Sequence, residues 1–527
     1  MNYPGSFART RPDHPAVIMA ESGRVVTYRE LDERSNQLAH LLRDRGLRRG
    51  DHIAIFAENH ERFLDALWAA ARIGLYFTPV NSHLNADEAG YIVDDCDAKA
   101  IITSTALAPV ATAMLPHLSR CDVRLMFDSG LMFDSERGTG EIPDRFESLE
   151  AAVASYPVTP IADESQGTGM FYSSGTTGRP KGILPPLPDA PAEAVTPVSE
   201  AMRVMWGIGP DTVYLSPAPL YHTSPSNCCM GVQRYGGTAV VMERWDPEAA
   251  LRAIERYRVT TAQFVPTMFV RMLKLPREVR ERYETSTLDY VLHTAAPCAV
   301  EIKQQMLDWW GPIIHECYAA SENPGYTWIG PDEWLQHRGS VGKAQWGVIH
   351  IVDDEGVECP PGEPGTIYFE NPVVTYEYHK DPGKSAESRH REGWWSVGDV
   401  GYLDDEGYLF LTDRKSHMII SGGVNIYPQE IENLLITHPK VLDVAVIGVP
   451  DSDLGEQVKA IVQTDDPSLW GPDLEAELLA FCSAHLARYK CPRSVDFIDE
   501  LPRLPTGKLY KRLLKDRYWG DRATRIV

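Results

Sequence analysis

Leu31, Leu38, Leu41 and Leu42 recur at helical spacing within an otherwise polar run. That period predicts an amphipathic helix over residues 28–47, with Thr27 placed to start it. The short apolar run 53–57 predicts a buried strand, and a second helix follows over about 60–73, ended by Gly74. Apolar runs at 77–80 and 100–103 predict further strands, separated by another helix. Alternation of this kind implies a largely parallel sheet covered by helices. The pentapeptide at 125–129 is echoed at 131–135; it is too short for a structural repeat and reads as a strand and a loop echo.

A second alternating block covers about 200–320, after a Pro/Ala-rich stretch at 184–197 that reads as an exposed loop. From about 338 to 412 the pattern changes to short strands, at 348–352, 366–369 and 408–412, with acidic-glycine turns at 353–356 and 404–407. The last part predicts a small α+β unit: helix 428–437, strands 441–449 and 458–463, helix 473–487 and a basic end. The fold class is therefore α/β, in a chain of 527 residues that is too long for one core.

Composition narrows the function. A net charge of −23 argues against a nucleic-acid or anionic-membrane surface. No apolar run is long enough for a membrane helix and no signal peptide is evident, so a cytoplasmic protein is expected. Nine scattered cysteines without C-x-x-C spacing fit reduced thiols rather than a structural zinc site.

Chemistry concentrates first at Tyr172, Ser173, Ser174, Gly175, Thr176, Thr177, Gly178, Arg179, Pro180, Lys181 and Gly182. Glycines let a backbone approach a ligand, turned N–H groups attract anions, and hydroxyls and cations add donors and charge. A polyphosphate cradle is one reading and a surface loop of turn-forming residues is the other. The P-loop pattern G-x-x-x-x-G-K-[ST] is absent.

Five more segments follow in order: 215–223 with Leu220, Tyr221, His222 and Thr223; 293–297; 318–322; 393–399 leading to 413–415; and 504–508. With the cradle, this ordered set resembles the adenylate-forming superfamily, which includes acyl- and aryl-CoA synthetases, peptide-synthetase adenylation domains and beetle luciferases. The resemblance covers essentially the whole chain. It implies a large N-terminal domain over 1–413, made of layered αβ subdomains plus a small β-barrel-like one. A hinge at 414–416 and a small mobile α+β C-terminal domain over 417–527 would follow.

The implied chemistry joins a carboxylic acid to AMP, expelling pyrophosphate, and then passes the acyl group to a thiol. ATP, Mg²⁺ and coenzyme A are the implied cofactors, and a small-molecule acid is the partner. The resemblance gives Ser173 to Gly178 and Lys181 to the phosphates, with Glu322 and Thr177 as Mg²⁺ contacts. It gives Tyr318, Cys317, Ser321, Ala295, Ala296 and Pro297 to the adenine side, and Glu316 to the adenine amino group. Asp399 is assigned to the ribose hydroxyls, and Arg414 to the ribose or a phosphate. Lys508 would bridge the acid carboxylate and the α-phosphate. Ser421, Gly422 and Gly423 would face the pantetheine arm, although Leu454 stands where some aryl-CoA ligases place a tryptophan.

The implied acyl pocket comprises His222, Thr223, Phe264, Val265, Met268, His293, Ala295 and Ala319. Peptide-synthetase adenylation domains carry an aspartate near the segment matching 220–223, and this chain has none there, so the resemblance argues against an amino-acid substrate; the mix of Phe, Val, Met and small residues implies an apolar fatty, alicyclic or aryl acid. A stand-alone enzyme passing the acyl group to an amine or a carrier protein is the alternative to a CoA ligase, and a catalytically dead binding protein the third. A monomer or homodimer is expected.

Overall fold

Thr27 starts the first long helix through its own chemistry. Its hydroxyl accepts from the Glu30 N–H while the Glu30 carboxylate accepts from the Thr27 N–H at 2.8 Å, a reciprocal cap over Tyr28–Asp44. The helix stops short of residue 47, and Gly46 just beyond it takes φ 92°, a left-handed turn that ends helices. Leu31, Leu38, Leu41 and Leu42 are all buried. The computed structural model describes residues 3–128, 141–173, 179–373, 376–391, 393–414, 417–503 and 509–520.

Contacts divide the chain into two compact units. The first is Met1–Gln263 with Arg282–Tyr290 and Thr375–Ser385; the second is Phe264–Glu281 with Val291–Val374 and Ala386–Val527.

The first unit contains the parallel sheet that the early alternation predicts. Its order is Glu147–Ser148, Val123–Phe127, Ala98–Ser104, His52–Phe56, Tyr76–Val80, Thr168–Gly169, with every neighbouring pair parallel. Tyr76–Val80 is buried at every position, as expected where helices cover both faces. The 125–129 segment supplies part of the strand Val123–Phe127, and its echo at 131–135 lies outside the described residues. A further set of strands in this unit runs Val25–Thr27, Pro15–Met19, Thr238–Val241, Val213–Ser216 and Thr261–Phe264.

The Pro/Ala-rich stretch between the strand Lys181–Leu184 and the helix Pro197–Trp206 has no regular element. It is more anchored than an exposed loop. Ala192 is buried, the Ala190 carbonyl accepts from the Gln166 N–H, and the Ala194 carbonyl accepts from Arg234 at 2.9 Å.

The second unit pairs Tyr290–His293 in parallel with Ile314–Ala319, which continues antiparallel into Tyr326–Ile329 and Lys343–Trp346. The short-strand region forms an antiparallel sheet of Val348–Val352, Gly365–Glu370, Asp399–Leu403 and Leu409–Arg414, with Trp394–Trp395 beside Gly365–Glu370. The last sheet joins Val424–Ile426, Ile419–Ser421, Gly455–Gln463 and Asp443–Asp451, with Ser494–Phe497 parallel to Gly455–Gln463. Both faces of Asp443–Asp451 are buried: Val444 and Val446 enter one cluster with Ile431 and Leu478, and Ala445, Ile447 and Val449 another with Leu501 and Leu514. Among the described residues no helix is long and apolar enough to cross a membrane.

Candidate active site

In the first unit the two ends of the glycine-rich segment lie on paired strands. Phe171–Ser173 runs antiparallel to Lys181–Leu184, with Ser173 opposite Lys181 and Tyr172 opposite Gly182. Ser174, Gly175, Thr176, Thr177 and Gly178 lie outside the described residues. A Cβ on Gly182 would stand 2.3 Å from the Met170 methyl and 3.0 Å from the Tyr172 ring, so a larger residue there would have to displace the Met170 side chain. Both ends are tethered. The Tyr172 hydroxyl donates to Asp95 at 2.6 Å, and burial first, then Cys96 and that carboxylate, push the phenol far above its usual range. Arg179 lies over the Tyr91 ring at 4.9 Å.

Lys181 is ion-paired with Asp381. The other Asp381 oxygen accepts from the Lys384 N–H at 2.9 Å, at the start of the helix Pro382–Glu387. Lys181 and then the Lys384 N–H hold the Asp381 carboxyl below its usual range. The sequence reading missed Asp381, although an Asp before Pro is a helix-start signal.

His222 sits at the entrance of the helix Thr223–Arg234, its ring 4.3 Å from that of Tyr221. The turn before it is fixed by buried Asn59, whose Oδ1 accepts from the Leu220 N–H at 2.7 Å and whose Nδ2 donates to the Met242 carbonyl at 2.8 Å. Sequence reasoning also missed a polar network next to His222 and Thr223. Gln263 Nε2 donates to Ser224 Oγ at 2.6 Å, while Gln263 Oε1 accepts from the Tyr214 hydroxyl and the Cys228 thiol, each at 3.2 Å. Burial pushes the Cys228 thiol up to about 12, so it stays protonated and donates. A buried glutamine inside an apolar strand is the signal that could have pointed to this network.

In the second unit Tyr318 and Asp399 meet directly: the Tyr318 hydroxyl donates to Asp399 Oδ2 at 2.7 Å. Asp399 is buried and stands opposite Arg414 in the strand register. The loop with Ala295, Ala296 and Pro297 is held to the Tyr318 strand by Thr294 Oγ1, which donates to the Cys317 carbonyl at 2.8 Å. Ala295 takes φ 74°, a left-handed backbone that an L side chain strains. Glu322 is half-buried in the turn that follows the strand Ile314–Ala319, next to Ser321 and just before Asn323, which has φ 52°.

Glu316 lies in a buried cluster. Lys303 Nζ donates to Glu316 Oε2 at 2.7 Å, and His293 Nε2 lies 3.3 Å from the same oxygen. Burial raises the Glu316 carboxyl, but His293 and Lys303 outweigh it and bring it from 4.5 down to about 2. The imidazole of His293 is itself held low by burial, so Lys303 is the cation that counts at neutral pH. Phe264, Met268 and His293 are buried, and an aromatic chain joins Phe264, Phe269 and His293, with Phe269 edge-on to His293 at 5.6 Å. Val265 is buried at the start of the helix Pro266–Leu273, whereas Ala319 is exposed.

Gly422 and Gly423 turn the hairpin between Ile419–Ser421 and Val424–Ile426 with φ 58° and 79°, the paired left-handed geometry of a tight two-residue turn. The Gly422 N–H donates to the Leu454 carbonyl at 2.9 Å. Lys508 lies outside the described residues.

The AMP-binding enzyme family matches residues 6–379, and the AMP-binding enzyme C-terminal domain matches residues 430–508. A feruloyl-CoA synthase from Amycolatopsis sp is 32% identical over 97% of this chain and 97% of its own length. A fatty acid–[acyl-carrier-protein] ligase from Streptomyces coeruleorubidus is 30% identical over 98% of this chain and 96% of its own. The crystal structure of ATP-bound MatB from Rhodopseudomonas palustris aligns with TM-score 0.80 at 28% identity, over 99% of each chain. The chain belongs to the AMP-binding enzyme family, the adenylate-forming superfamily. Its enzyme class is acyl-CoA synthetase.

Proposed function

We propose that this enzyme is an ATP-dependent carboxylic acid–CoA ligase working in two steps on an apolar fatty, alicyclic or aryl acid. In the first, a carboxylate oxygen attacks the α-phosphorus of ATP and pyrophosphate leaves. In the second, the CoA sulfur attacks the acyl carbon and AMP leaves. The observation that carries the reading is the Tyr318–Asp399 hydrogen bond with Arg414 opposite Asp399. It joins an aromatic face to an acceptor for ribose hydroxyls, with Arg414 on the strand paired to that of Asp399.

In this reading Thr176, Thr177 and Lys181 hold the β- and γ-phosphates, and Ala295 to Pro297 flank the adenine opposite Tyr318. Glu322 is the carboxylate for Mg²⁺, an ion that takes few protein ligands and several phosphate or water oxygens and supplies charge neutralisation. Lys508 places its ammonium between two anions that otherwise repel. The part beyond residue 416 turns about 414–416 so that Gly422 and Gly423 replace Lys508 at the acyl group for the second step. The buried Phe264, Val265 and Met268 support an apolar acid. The two curated relatives, named for feruloyl and fatty acyl groups, support the same acid class.

The test is pyrophosphate release with ferulate and a series of fatty and aryl acids, with and without CoA, followed by mass spectrometry of the thioester. Release with at least one acid and an acyl-CoA product is expected. If no acid releases pyrophosphate, the reading fails. If an acyl adenylate forms but CoA is not consumed, the acceptor is instead a carrier protein, as in the name of the Streptomyces relative, or an amine.

A further inference from the structure

Lys181 opens the middle strand of a three-stranded sheet in the first unit. Lys181–Leu184 pairs antiparallel with Phe171–Ser173 on one side and with Glu377–Tyr378 on the other. The third strand comes from far along the chain. Ile183 faces Tyr378 and Leu184 faces Glu377, a register that carries the chain past Tyr378 towards Lys181. Asp381 follows there, and its carboxylate is the ion-pair partner of Lys181.

The carboxylate is fixed from its own side. Asp381 Oδ1 accepts from the Lys384 N–H at 2.9 Å, and the Asp381 carbonyl accepts from the Ser385 hydroxyl at 2.9 Å. Lys380, just before it, takes φ 56°, a left-handed backbone that a residue with a Cβ keeps only where its surroundings impose it. Those surroundings are explicit. The His379 N–H donates to the Gly182 carbonyl at 2.8 Å. Lys380 Nζ donates to the Asp95 carbonyl at 2.6 Å and lies 3.0 Å from Asp97 Oδ2. Asp381 is thus a fixed anion facing an ammonium on a flexible four-carbon stem.

Anchoring does not explain the pair. The segment before Asp381 is already secured by strand pairing and by the contacts of His379 and Lys380. The Lys181 and Asp381 side chains keep 29% and 33% of their exposure, and an ion pair so open adds little to stability. What it supplies is order. An ammonium carries three donors; Asp381 takes one, and the partly exposed Lys181 can offer the rest to a second anion.

We propose that Asp381 is a positioning residue for ATP: it holds the Lys181 ammonium in place before the polyphosphate arrives, so that the β- and γ-phosphates meet an ordered cation. The inference rests on the reading of Lys181 as a phosphate ligand. Asp381 touches no substrate in this scheme and acts through Lys181. Its effect is confined to the pyrophosphate end of the nucleotide, which ATP has and AMP lacks.

The experiment uses the full-length enzyme. It measures the Kd of α,β-methylene-ATP and of AMP, and the ATP and acid KM of adenylation with whichever acid releases pyrophosphate fastest. Asp381→Asn keeps an acceptor for the Lys384 N–H and removes the charge. It is expected to raise the analogue Kd and the ATP KM about 3- to 10-fold, because one long side chain must then be ordered at the moment of binding. The AMP Kd and the acid KM should stay at wild-type values, and retained AMP binding also shows that the variant folds. Lys181→Met should raise the analogue Kd by at least about 10-fold through loss of a charge-assisted bond, again without changing the AMP Kd. Adding Asp381→Asn to Lys181→Met should cause no further rise, since the two residues act as a unit. An analogue Kd for Asp381→Asn at the wild-type value, or below it because the carboxylate competes with phosphate, would overturn the inference. So would an equal rise for AMP, or a further rise in the double variant. If Lys181→Met binds the analogue as tightly as wild type, the reading of Lys181 itself fails.

Discussion

At the scale of single residues, the Glu316–Lys303 pair sets the sharpest expectations. Both groups are buried, and removing one leaves the other uncompensated. Lys303→Met should therefore cost about 3–5 kcal/mol in urea unfolding. Glu316 also predicts a pH dependence. Its folded carboxyl titrates near 2 against 4.5 unfolded, so its contribution is complete above 4.5 and is lost as pH falls towards 2. Unfolding curves of Glu316→Gln across that window should show a shallower acid dependence than wild type; parallel curves would refute the assignment. Ala295 is the other residue under constraint. At φ 74° a β-branched side chain is strongly disfavoured, and Ala295→Val should lose about 1–2 kcal/mol of stability. Ala295→Gly should not.

At the scale of elements, caps and tethers decide where segments begin and how they aim. The Thr27–Glu30 box fixes the start of Tyr28–Asp44. Thr27→Ala should lower stability by about 1 kcal/mol, seen as a fall in Tm, and Thr27→Ser should largely restore it. The strand pair with Ser173 and Lys181 illustrates a different dependence. Its register follows from strand pairing, but its aim is set by partners far along the chain, Asp95 for Tyr172 and Asp381 for Lys181. The network of Gln263, Ser224, Cys228 and Tyr214 likewise couples a strand to the first turns of the His222 helix. Neither arrangement follows from local periodicity, because each partner lies outside the element that it orients.

At the scale of the molecule, one enzyme is proposed to catalyse two reactions in turn, which gives Lys508→Ala a distinctive phenotype. Adenylation should fall by about 10²–10³-fold, whereas thioester formation from supplied acyl-AMP and CoA should persist. Pyrophosphate release and thioester mass spectrometry on the same preparation check this, and equal loss in both assays would contradict the division of labour. The strands and helices near residues 28–103 and 428–487 were legible because apolar periodicity and turn residues act locally: the helix Glu61–Arg72 and the strand Asp443–Asp451 lie close to where the pattern puts them. The ordered motifs likewise pointed to the family on residue order alone. Tertiary structure decided which charges meet. Lys303 reaches Glu316 across 13 positions, Tyr318 reaches Asp399 across 81, and Lys181 reaches Asp381 across 200. Periodicity records whether a position faces water or core, a property of one site and its near neighbours. A hydrogen bond or ion pair depends on two sites at once, and folding alone brings them together.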